Sequence, residues 1–200
     1  MPYRETERTR ARAAGARERI IRAAVAQLGE GGYASATVSA VARRAGVATG
    51  SVYRHFPSKA GLFAEVFRRA AQREVDAVAA AAGAEAGLEA RVAAAVEVFV
   101  RRALAAPQRA YALLAEPVDP AIEAERLVFR RAYAEVFAAP LRDAGIPDPD
   151  LVAAACVGAL GEALVGPLAR RDHAPEALVA SLQAFCLSAI NARSPHVRHA

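Results

Sequence analysis

Apolar positions along the chain recur mostly at helical spacing. One such stripe, which predicts an amphipathic helix from about Ala16, consists of Ile20, Ile21, Ala24, Val25 and Leu28. The glycines of the stretch GEGGY, residues 29–33, predict the end of this helix, since glycine favours helix C-termini. Residues 1–14 lack such a stripe, so we expect them to form a mobile arm.

Glycine, proline and capping residues divide the rest of the chain. Two short helices are expected next, one between the cap residue Thr37 and Gly46 and one from about Thr49 to His55. Pro57 ends the second, and Ser58 caps a longer fourth helix. Residues 79–87 suggest a break, although their alanines are equally compatible with a helix. Later prolines and glycines predict five more helices, at 88–105, 108–115, 120–143, 149–169 and 175–191.

No stretch shows the alternation of a half-buried strand, so we predict an all-α protein of about nine helices. The first three helices suggest an N-terminal helix-turn-helix domain over residues 1–57, and the later helices a helical C-terminal domain over residues 58–200. The fourth helix, at about residues 58–80, is expected to connect the two domains.

Composition and charge support this division. Of the 200 residues 54% are hydrophobic but only 6% aromatic, and alanine, the strongest helix former, is abundant. Through Lys59 the chain has eleven basic and four acidic residues, and beyond it fifteen and seventeen. Such asymmetry is typical of a nucleic-acid-binding domain joined to a nearly neutral one. A solvated basic tail would give the same count, so charge alone leaves both interpretations open.

Several function classes are disfavoured. The longest uncharged stretch, at 177–192, has sixteen residues, whereas a bilayer span needs about 20, so we expect a cytoplasmic protein without a membrane partner. Cys156 and Cys186 lie in apolar surroundings without CxxC spacing, which predicts buried free thiols. No P-loop, GxGxxG, GxSxG or HExxH motif is present, so neither an enzyme nor a cofactor or metal site is expected.

The stretch AGVATGSVYRHFPSK, residues 45–59, concentrates polar donors and contains the only lysine of the chain. Ala42, Gly46 and Val52 have the spacing of a helix-turn-helix: a small residue where two helices touch, a glycine for the turn and a branched residue that seats the second helix. Helix pairs with this spacing also occur in proteins that do not bind DNA, so the spacing alone leaves the function open.

The wider segment TVSAVARRAGVATGSVYRHFPSKAGLF, residues 37–63, resembles the TetR family of bacterial transcriptional repressors. The shared positions are Thr37-Val38, Ala45-Gly46-Val47, Thr49 to Tyr53, His55-Phe56 and Ser58-Lys59. The resemblance covers residues 16–70. It implies a homodimer that binds double-stranded DNA at a palindromic operator and a C-terminal domain that binds a small-molecule effector.

The third helix is the expected reading element. A helix that enters the major groove needs a slim first turn with hydrogen-bonding groups, and Thr49, Gly50 and Ser51 provide one. Arg54 is expected to reach a guanine edge or a phosphate.

Further residues are expected at phosphates. The resemblance implies phosphate contacts for Tyr53, His55 and Lys59, although Tyr53 also suits the small core, as Phe56 does. Thr37 and Ser39 begin the second helix, where backbone N–H groups can bind a phosphate.

Other arginines have more than one interpretation. Arg43 and Arg44 are expected on a solvated face that adds positive field. The arginines of the N-terminus either keep the chain soluble or enter the minor groove: Arg8, Arg10, Arg12 and Arg17.

Two features depart from the family pattern. Ala48 stands where the family often has Ser or Thr, which weakens the cap of the third helix, and we expect Thr49 to act as the cap instead. The residues directly after Lys59, AGLF at 60–63, include no acidic group, so the capping box of the fourth helix is missing.

The last two helices are apolar around most of their circumference, as expected for helices buried on two sides. They suit an ordinary core, but the resemblance favours a four-helix interface with a second copy. The residues assigned to this interface are Leu151, Ala155, Val157, Leu160, Leu164, Leu178, Leu182 and Phe185.

Aromatic residues on the long helix at 120–143 suit either a core or the wall of a ligand pocket. We predict a pocket for a small apolar or amphipathic molecule, lined by Phe67, Phe99, Tyr111, Leu114, Phe129, Tyr133, Phe137 and Glu162.

The sequence therefore predicts a ligand-responsive DNA-binding transcriptional regulator, a repressor released from its operator by the effector. The fourth helix is expected to link the pocket to the third helix. The alternative is a DNA-binding regulator or architectural module without an effector, which a solid C-terminal core would favour.

Overall fold

The computed structural model describes residues 7–170 and 174–193. These residues form nine α-helices and no strand, in agreement with the predicted all-α fold. The helices are α1 Glu7–Ser35, α2 Val38–Ala45, α3 Thr49–His55, α4 Lys59–Gly83, α5 Leu88–Ala105, α6 Pro107–Leu114, α7 Pro120–Asp143, α8 Pro149–Arg170 and α9 Pro175–Asn191.

The predicted bounds of α3, α5, α7 and α9 are confirmed, but α1 differs at its start. Residues 7–14 are helical rather than an arm, and residues 1–6 lie outside the described part. Alanine, arginine and glutamate have high helix propensity, and extending an existing helix needs no new nucleation. The absence of an apolar stripe was therefore a poor guide to the start of α1.

The other end of α1 breaks at Gly32, within the predicted glycine stretch. Gly32 has φ 74° and ψ −174°, a conformation that favours glycine, and one short turn through Ser35 follows it. The break frees backbone N–H groups whose partners are described below.

Two main clusters of buried side chains organise the fold. The first core joins α1–α3 to the beginning of α4, where Leu62 and Phe63 are fully buried. Ala112 of α6 and Ile122 of α7 also belong to this core. The second core lies among α4, α5, α7, α8 and α9. Because α4 contributes side chains to both cores, it connects them.

Within the described residues, α8 is the one helix that is long and apolar enough to cross a membrane by length and composition, a test that core helices also pass. One side of it packs in the second core through Val152, Ala153, Cys156, Leu160, Leu164 and Leu168. Cys156 and Cys186 are buried and unlinked, which confirms the predicted free thiols.

Candidate DNA-binding surface and ligand cavity

The turn between α2 and α3 depends on Gly46, which has φ 66° and ψ 39°. Its N–H donates to the carbonyl of Arg43 at 3.2 Å, and the N–H of Val47 donates to the carbonyl of Ala42 at 3.0 Å. These bonds satisfy the last carbonyls of α2. Ala42 and Val52 are both buried in the first core. The predicted helix-turn-helix spacing is thus confirmed.

The first turn of α3 faces solvent. Thr49 and Gly50 are exposed and Ser51 is half-buried, and a Cβ added at Gly50 would meet no atom within 4 Å. Ser51 Oγ accepts a hydrogen bond of 2.9 Å from Arg54 Nη2. Since Val52 is the one buried residue of α3, the helix is held through a narrow contact and presents most of its surface outward.

The residues expected at phosphates surround this helix. The ring of Tyr53 is 47% exposed, so it does not serve the core, whereas Phe56 is buried as predicted. His55 is half-buried. At the start of α2, Thr37 Oγ1 accepts from the N–H of Ala40 at 3.2 Å and lies 3.2 Å from the exposed Ser39 Oγ.

The caps of α3 and α4 differ. Ala48, not Thr49, occupies the N-cap of α3 and supplies no side-chain hydrogen bond, so the predicted replacement by Thr49 is wrong: Thr49 already has helical geometry as the first residue. Ser58 Oγ accepts from the N–H of Gly61 at 3.0 Å and caps α4 as expected.

Lys59 has an internal role in addition to its predicted one. Its half-buried ammonium donates to the carbonyl of Tyr33 at 3.1 Å and lies 4.2 Å from the centroid of the Tyr33 ring. The start of α4 is thereby tied to the end of α1, close to α3.

Arg17 fits neither interpretation offered for the N-terminal arginines. Its Nη2 lies 3.2 Å from Glu65 Oε1, and its guanidinium carbon lies 5.0 Å from the centroid of the Phe56 ring. It therefore ties α1 to α4 and to the residue after α3. Arg44 pairs with Glu30 at 2.7 Å, while the side chain of Arg8 lies outside the described residues.

A cavity of about 480 Å³ opens among α4, α5, α6, α7 and α8. Six of the predicted pocket residues line it: Phe67, Phe99, Leu114, Phe129, Tyr133 and Glu162. The rings of Phe99 and Tyr133 meet edge to face with centroids 5.2 Å apart. Burial raises the pKa of Tyr133, with a smaller effect in the same direction from the charge of Glu74.

The other two predicted residues do not line the cavity. Phe137 is 1% exposed in the second core, and Tyr111 is half-buried against that core. Eight residues of an α-helix rotate by about 80° past two full turns. Phe137 therefore points well away from the direction of Phe129, although both belong to one aromatic stripe.

The cavity also contains charged residues that the sequence pattern did not predict. Its wall also includes Glu74 and the arginines Arg102, Arg109, Arg126, Arg130 and Arg131. On helices these residues are indistinguishable by spacing from ordinary surface arginines, so no signal in a single sequence identified them.

Arg126 connects this cavity to the end of α6. It is 9% exposed and donates to the carbonyls of Ala112 at 3.1 Å, Leu113 at 3.0 Å and Glu116 at 2.8 Å. Ala112 and Leu113 belong to the last turn of α6, whose carbonyls the end of a helix leaves without partners. A cation there also interacts favourably with the helix dipole.

Glu116 carries the connection on to α1. Its carboxylate accepts from the N–H of Tyr33 at 2.8 Å and from the N–H of Ala34 at 2.9 Å, the donors freed by the break at Gly32. The hydroxyl of Tyr33 donates to Asp119 Oδ2, and Asp119 makes no side-chain cap bond to α7. Three polar contacts thus fix the end of α1 to the loop between α6 and α7.

The residues assigned to the dimer interface divide into two groups. Leu160, Leu164 and Leu182 are buried in the second core of the same chain, which corrects their assignment. Val157 and Leu178 are half-buried. Three residues do reach the outer surface of α8 and α9: Leu151, Ala155 and Phe185. Leu151 is 62% and Phe185 51% exposed, although both are large and apolar.

The fold is therefore that of a helix-turn-helix protein, in which an exposed α3 is joined to a helical domain with a cavity. Residues 20–66 match the family model described as bacterial regulatory proteins, tetR family. This match covers 47 of the 200 residues and includes α2, α3 and parts of α1 and α4.

Two relatives are similar to part of the chain. The chain is 44% identical over 57 residues to the HTH-type transcriptional repressors KstR of Rhodococcus jostii and of Mycolicibacterium smegmatis. The match covers 28% of this chain and spans only 27% and 28% of the length of these relatives.

The fold is shared over most of the chain. The transcriptional regulator FadR from Bacillus subtilis, solved in complex with stearoyl-CoA, is similar with a TM-score of 0.74 and 20% identity over 86% of this chain and 98% of that one. A tetR-family transcriptional regulator from Streptomyces coelicolor is similar with a TM-score of 0.75 and 17% identity, over 90% of this chain and 82% of that one.

Proposed function

We propose that the protein is a DNA-binding transcriptional repressor that works in the cytoplasm as a homodimer and leaves a palindromic operator when a small apolar or amphipathic molecule binds. The observation that carries the proposal is the exposed first turn of α3, a helix whose one buried residue is Val52 and which follows the turn at Gly46. The family match over residues 20–66 supports it.

In the proposed complex, α3 enters the major groove. Thr49, Gly50 and Ser51 lie against base edges, and Arg54 reaches a guanine or a phosphate once it releases Ser51. Phosphates on either side are bound from three places: Tyr53 and His55 at the end of α3, Lys59 at the start of α4, and Thr37 with Ser39 at the start of α2.

A second copy is proposed to pack on the outer face of α8 and α9. Leu151 and Phe185 are large apolar side chains at least half exposed, and Ala155 lies on the same helix as Leu151. Two-fold pairing through such a face would set two α3 helices about 34–36 Å apart, which matches a palindromic site.

Ligand control is supported by the cavity and by the bonds that lead away from it. FadR from Bacillus subtilis was solved with stearoyl-CoA, and we propose an apolar or amphipathic ligand for the cavity of this chain as well. A solid C-terminal core would have favoured a module without an effector, whereas the cavity is about 480 Å³.

The route from cavity to DNA is proposed to run through Arg126 and Glu116 in addition to α4. A ligand that displaces Arg126 would shift the end of α6, and with it the carboxylate that binds Tyr33 and Ala34. Such a ligand weakens DNA binding only if it binds the shifted conformation more tightly.

Selection of bound DNA from a random pool at physiological salt tests the proposal. The expected result is enrichment of an inverted repeat, and a changed preference within it for Ser51→Ala. Gln72→Ala, which changes an exposed neutral polar residue of α4 outside the proposed DNA contacts and dimer face, is the control and should select the same repeat. Failure of the unchanged protein to enrich any sequence would contradict the proposed function.

A further inference from the structure

We propose that the cavity ligand is an amphipathic anion, a long apolar chain that ends in a negatively charged group, and that Arg130 and Arg131 are its main charge partners. This inference rests on the proposed ligand control and adds the chemical class of the ligand.

The inner walls of the cavity suit the apolar chain. Phe67 and Phe129 are nearly buried, and Phe99, Leu113 and Leu114 complete an apolar surface. The volume of about 480 Å³ lies within the usual range for small-molecule sites, which are mostly apolar with a few polar groups. Burial of a hydrocarbon chain in such a space supplies affinity but little specificity.

Positive charge exceeds negative charge around the same cavity. Five arginines and two glutamates line it. Arg102 and Arg109 lie 2.5 and 3.5 Å from the carboxylate of Glu74, so these two share one counter-charge. Arg126 lies 2.5 Å from Glu123 and also binds three carbonyls.

Arg130 and Arg131 differ from these three. Both line the cavity and are exposed, and neither makes a hydrogen bond or salt bridge to any residue that the structure describes. They are neighbours on α7, so an anion placed near both would meet two guanidinium groups. Guanidinium groups bind carboxylates and phosphates through short, charge-assisted hydrogen bonds.

Arg126 and Tyr133 also favour the binding of an anion near Arg130 and Arg131. Burial lowers the pKa of Arg126, and the positive charge of Arg130 lowers it further against the opposing effect of Glu123. A bound anion would offset that repulsion. The hydroxyl of Tyr133 makes no hydrogen bond within residues 7–170 and 174–193, so it can donate to a ligand.

Glu162 determines the expected orientation of the ligand in the cavity. It is exposed on α8 and lines the cavity without a salt bridge to another described residue. Because a carboxylate repels an anion, the charged end of the ligand should lie toward α7, and the apolar chain should run toward Phe67 and Phe99.

Displacement of a fluorescent apolar dye from the full-length protein, without DNA, tests this class. The probes are stearate, stearoyl-CoA and the neutral stearyl alcohol, which share one hydrocarbon chain. The variants are Arg130→Gln with Arg131→Gln, and the control is Arg73→Gln, which removes an exposed arginine of α4 outside the cavity. Circular dichroism melts check that each variant folds.

At least one anionic probe should bind at least tenfold more tightly than the alcohol. A tenfold ratio of dissociation constants corresponds to about 1.4 kcal/mol in binding free energy. The double variant should remove that advantage and shift the dissociation constant of the alcohol less than about twofold. The control Arg73→Gln should bind all three probes as the unchanged protein does. Preference for stearate identifies a carboxylate as the charged group, and preference for stearoyl-CoA identifies the phosphates.

The proposal is overturned if the alcohol binds as tightly as either anion, if the double variant leaves anion binding unchanged, or if neither anion binds. Since the assay contains no DNA, none of these results bears on operator binding. Conversely, a protein that fails to select DNA can still show the expected preference for anions, so the two proposals fail separately.

Discussion

The two cores of this protein differ in how fully they are filled. The first core packs Ile20, Leu28 and Phe63 with no exposure at all. Val52 anchors α3 to this core, and the rest of α3 forms a thin polar surface. The second domain surrounds a cavity of about 480 Å³ and leaves apolar side chains exposed on α8 and α9. A small filled core holds a surface in fixed geometry, whereas a larger domain with a cavity can adopt more than one packing.

Truncation of one phenylalanine in each region should give the largest and most unequal effects. Phe63→Ala removes a fully buried ring from the first core and should lower the free energy of unfolding by about 3–5 kcal/mol. Phe129→Ala should cost clearly less, because one side of that ring already faces the cavity and has fewer contacts to lose. Denaturant melts of both variants measure the difference, and equal losses would contradict the comparison.

The connection between the regions is the next target. Glu116→Ala removes the acceptor for the N–H groups of Tyr33 and Ala34. The buried N–H of Tyr33 should cost about 1–3 kcal/mol without its partner, and the N–H of the exposed Ala34 about 1 kcal/mol, because water can reach it. We therefore expect a loss of about 2–4 kcal/mol and a weaker effect of ligand on DNA binding. Urea melts and operator titrations with and without ligand test both parts.

Glu85→Ala is the control for this change, because Glu85 is an exposed carboxylate between α4 and α5. If Glu116→Ala behaves like Glu85→Ala in both measurements, the contact at the end of α1 does not connect the two regions.

The fold could be predicted from sequence because glycine, proline and capping residues act locally. Gly46 and Ser58 mark helix ends by their own backbone and side-chain chemistry, and the bounds of α5, α7 and α9 follow from prolines and glycines in the same way. The start of α1 could not be placed, since helix propensity without an apolar stripe gives no boundary.

The cavity was less predictable, because it depends on which side of a helix faces inward. On α8 and α9 nearly every position is apolar, so nothing in the pattern separates the inward Leu160, Leu164 and Leu182 from the outward Leu151 and Phe185. Arg126 and Glu116 present the same difficulty with charge: a buried arginine and a buried glutamate look like surface residues until their partners from other helices are known.

Lys59 should show a mixed effect, since it serves both stability and the proposed DNA contact. Lys59→Ala removes the bond to the Tyr33 carbonyl, for which we expect a loss of about 1–2 kcal/mol. Binding should weaken for all DNA sequences alike, and the slope of log affinity against log salt should fall by about one. Titrations at several salt concentrations measure the slope, and an unchanged slope would leave Lys59 with its internal role alone.

The smallest expected effect comes from adding the missing cap to α3. Ala48 is exposed, has extended backbone geometry and gives no side-chain bond, so Ala48→Ser should stabilise the protein by about 1 kcal/mol. Ala174, the N-cap of α9, also lacks such a bond and has extended geometry, so Ala174→Ser is the same change in the other region. Both should raise the melting temperature. Only Ala48→Ser should also tighten DNA binding, because it orders the turn that the proposed function places in the major groove. Tighter DNA binding by both variants to the same degree would mean that general stability, and not the order of α3, limits operator affinity.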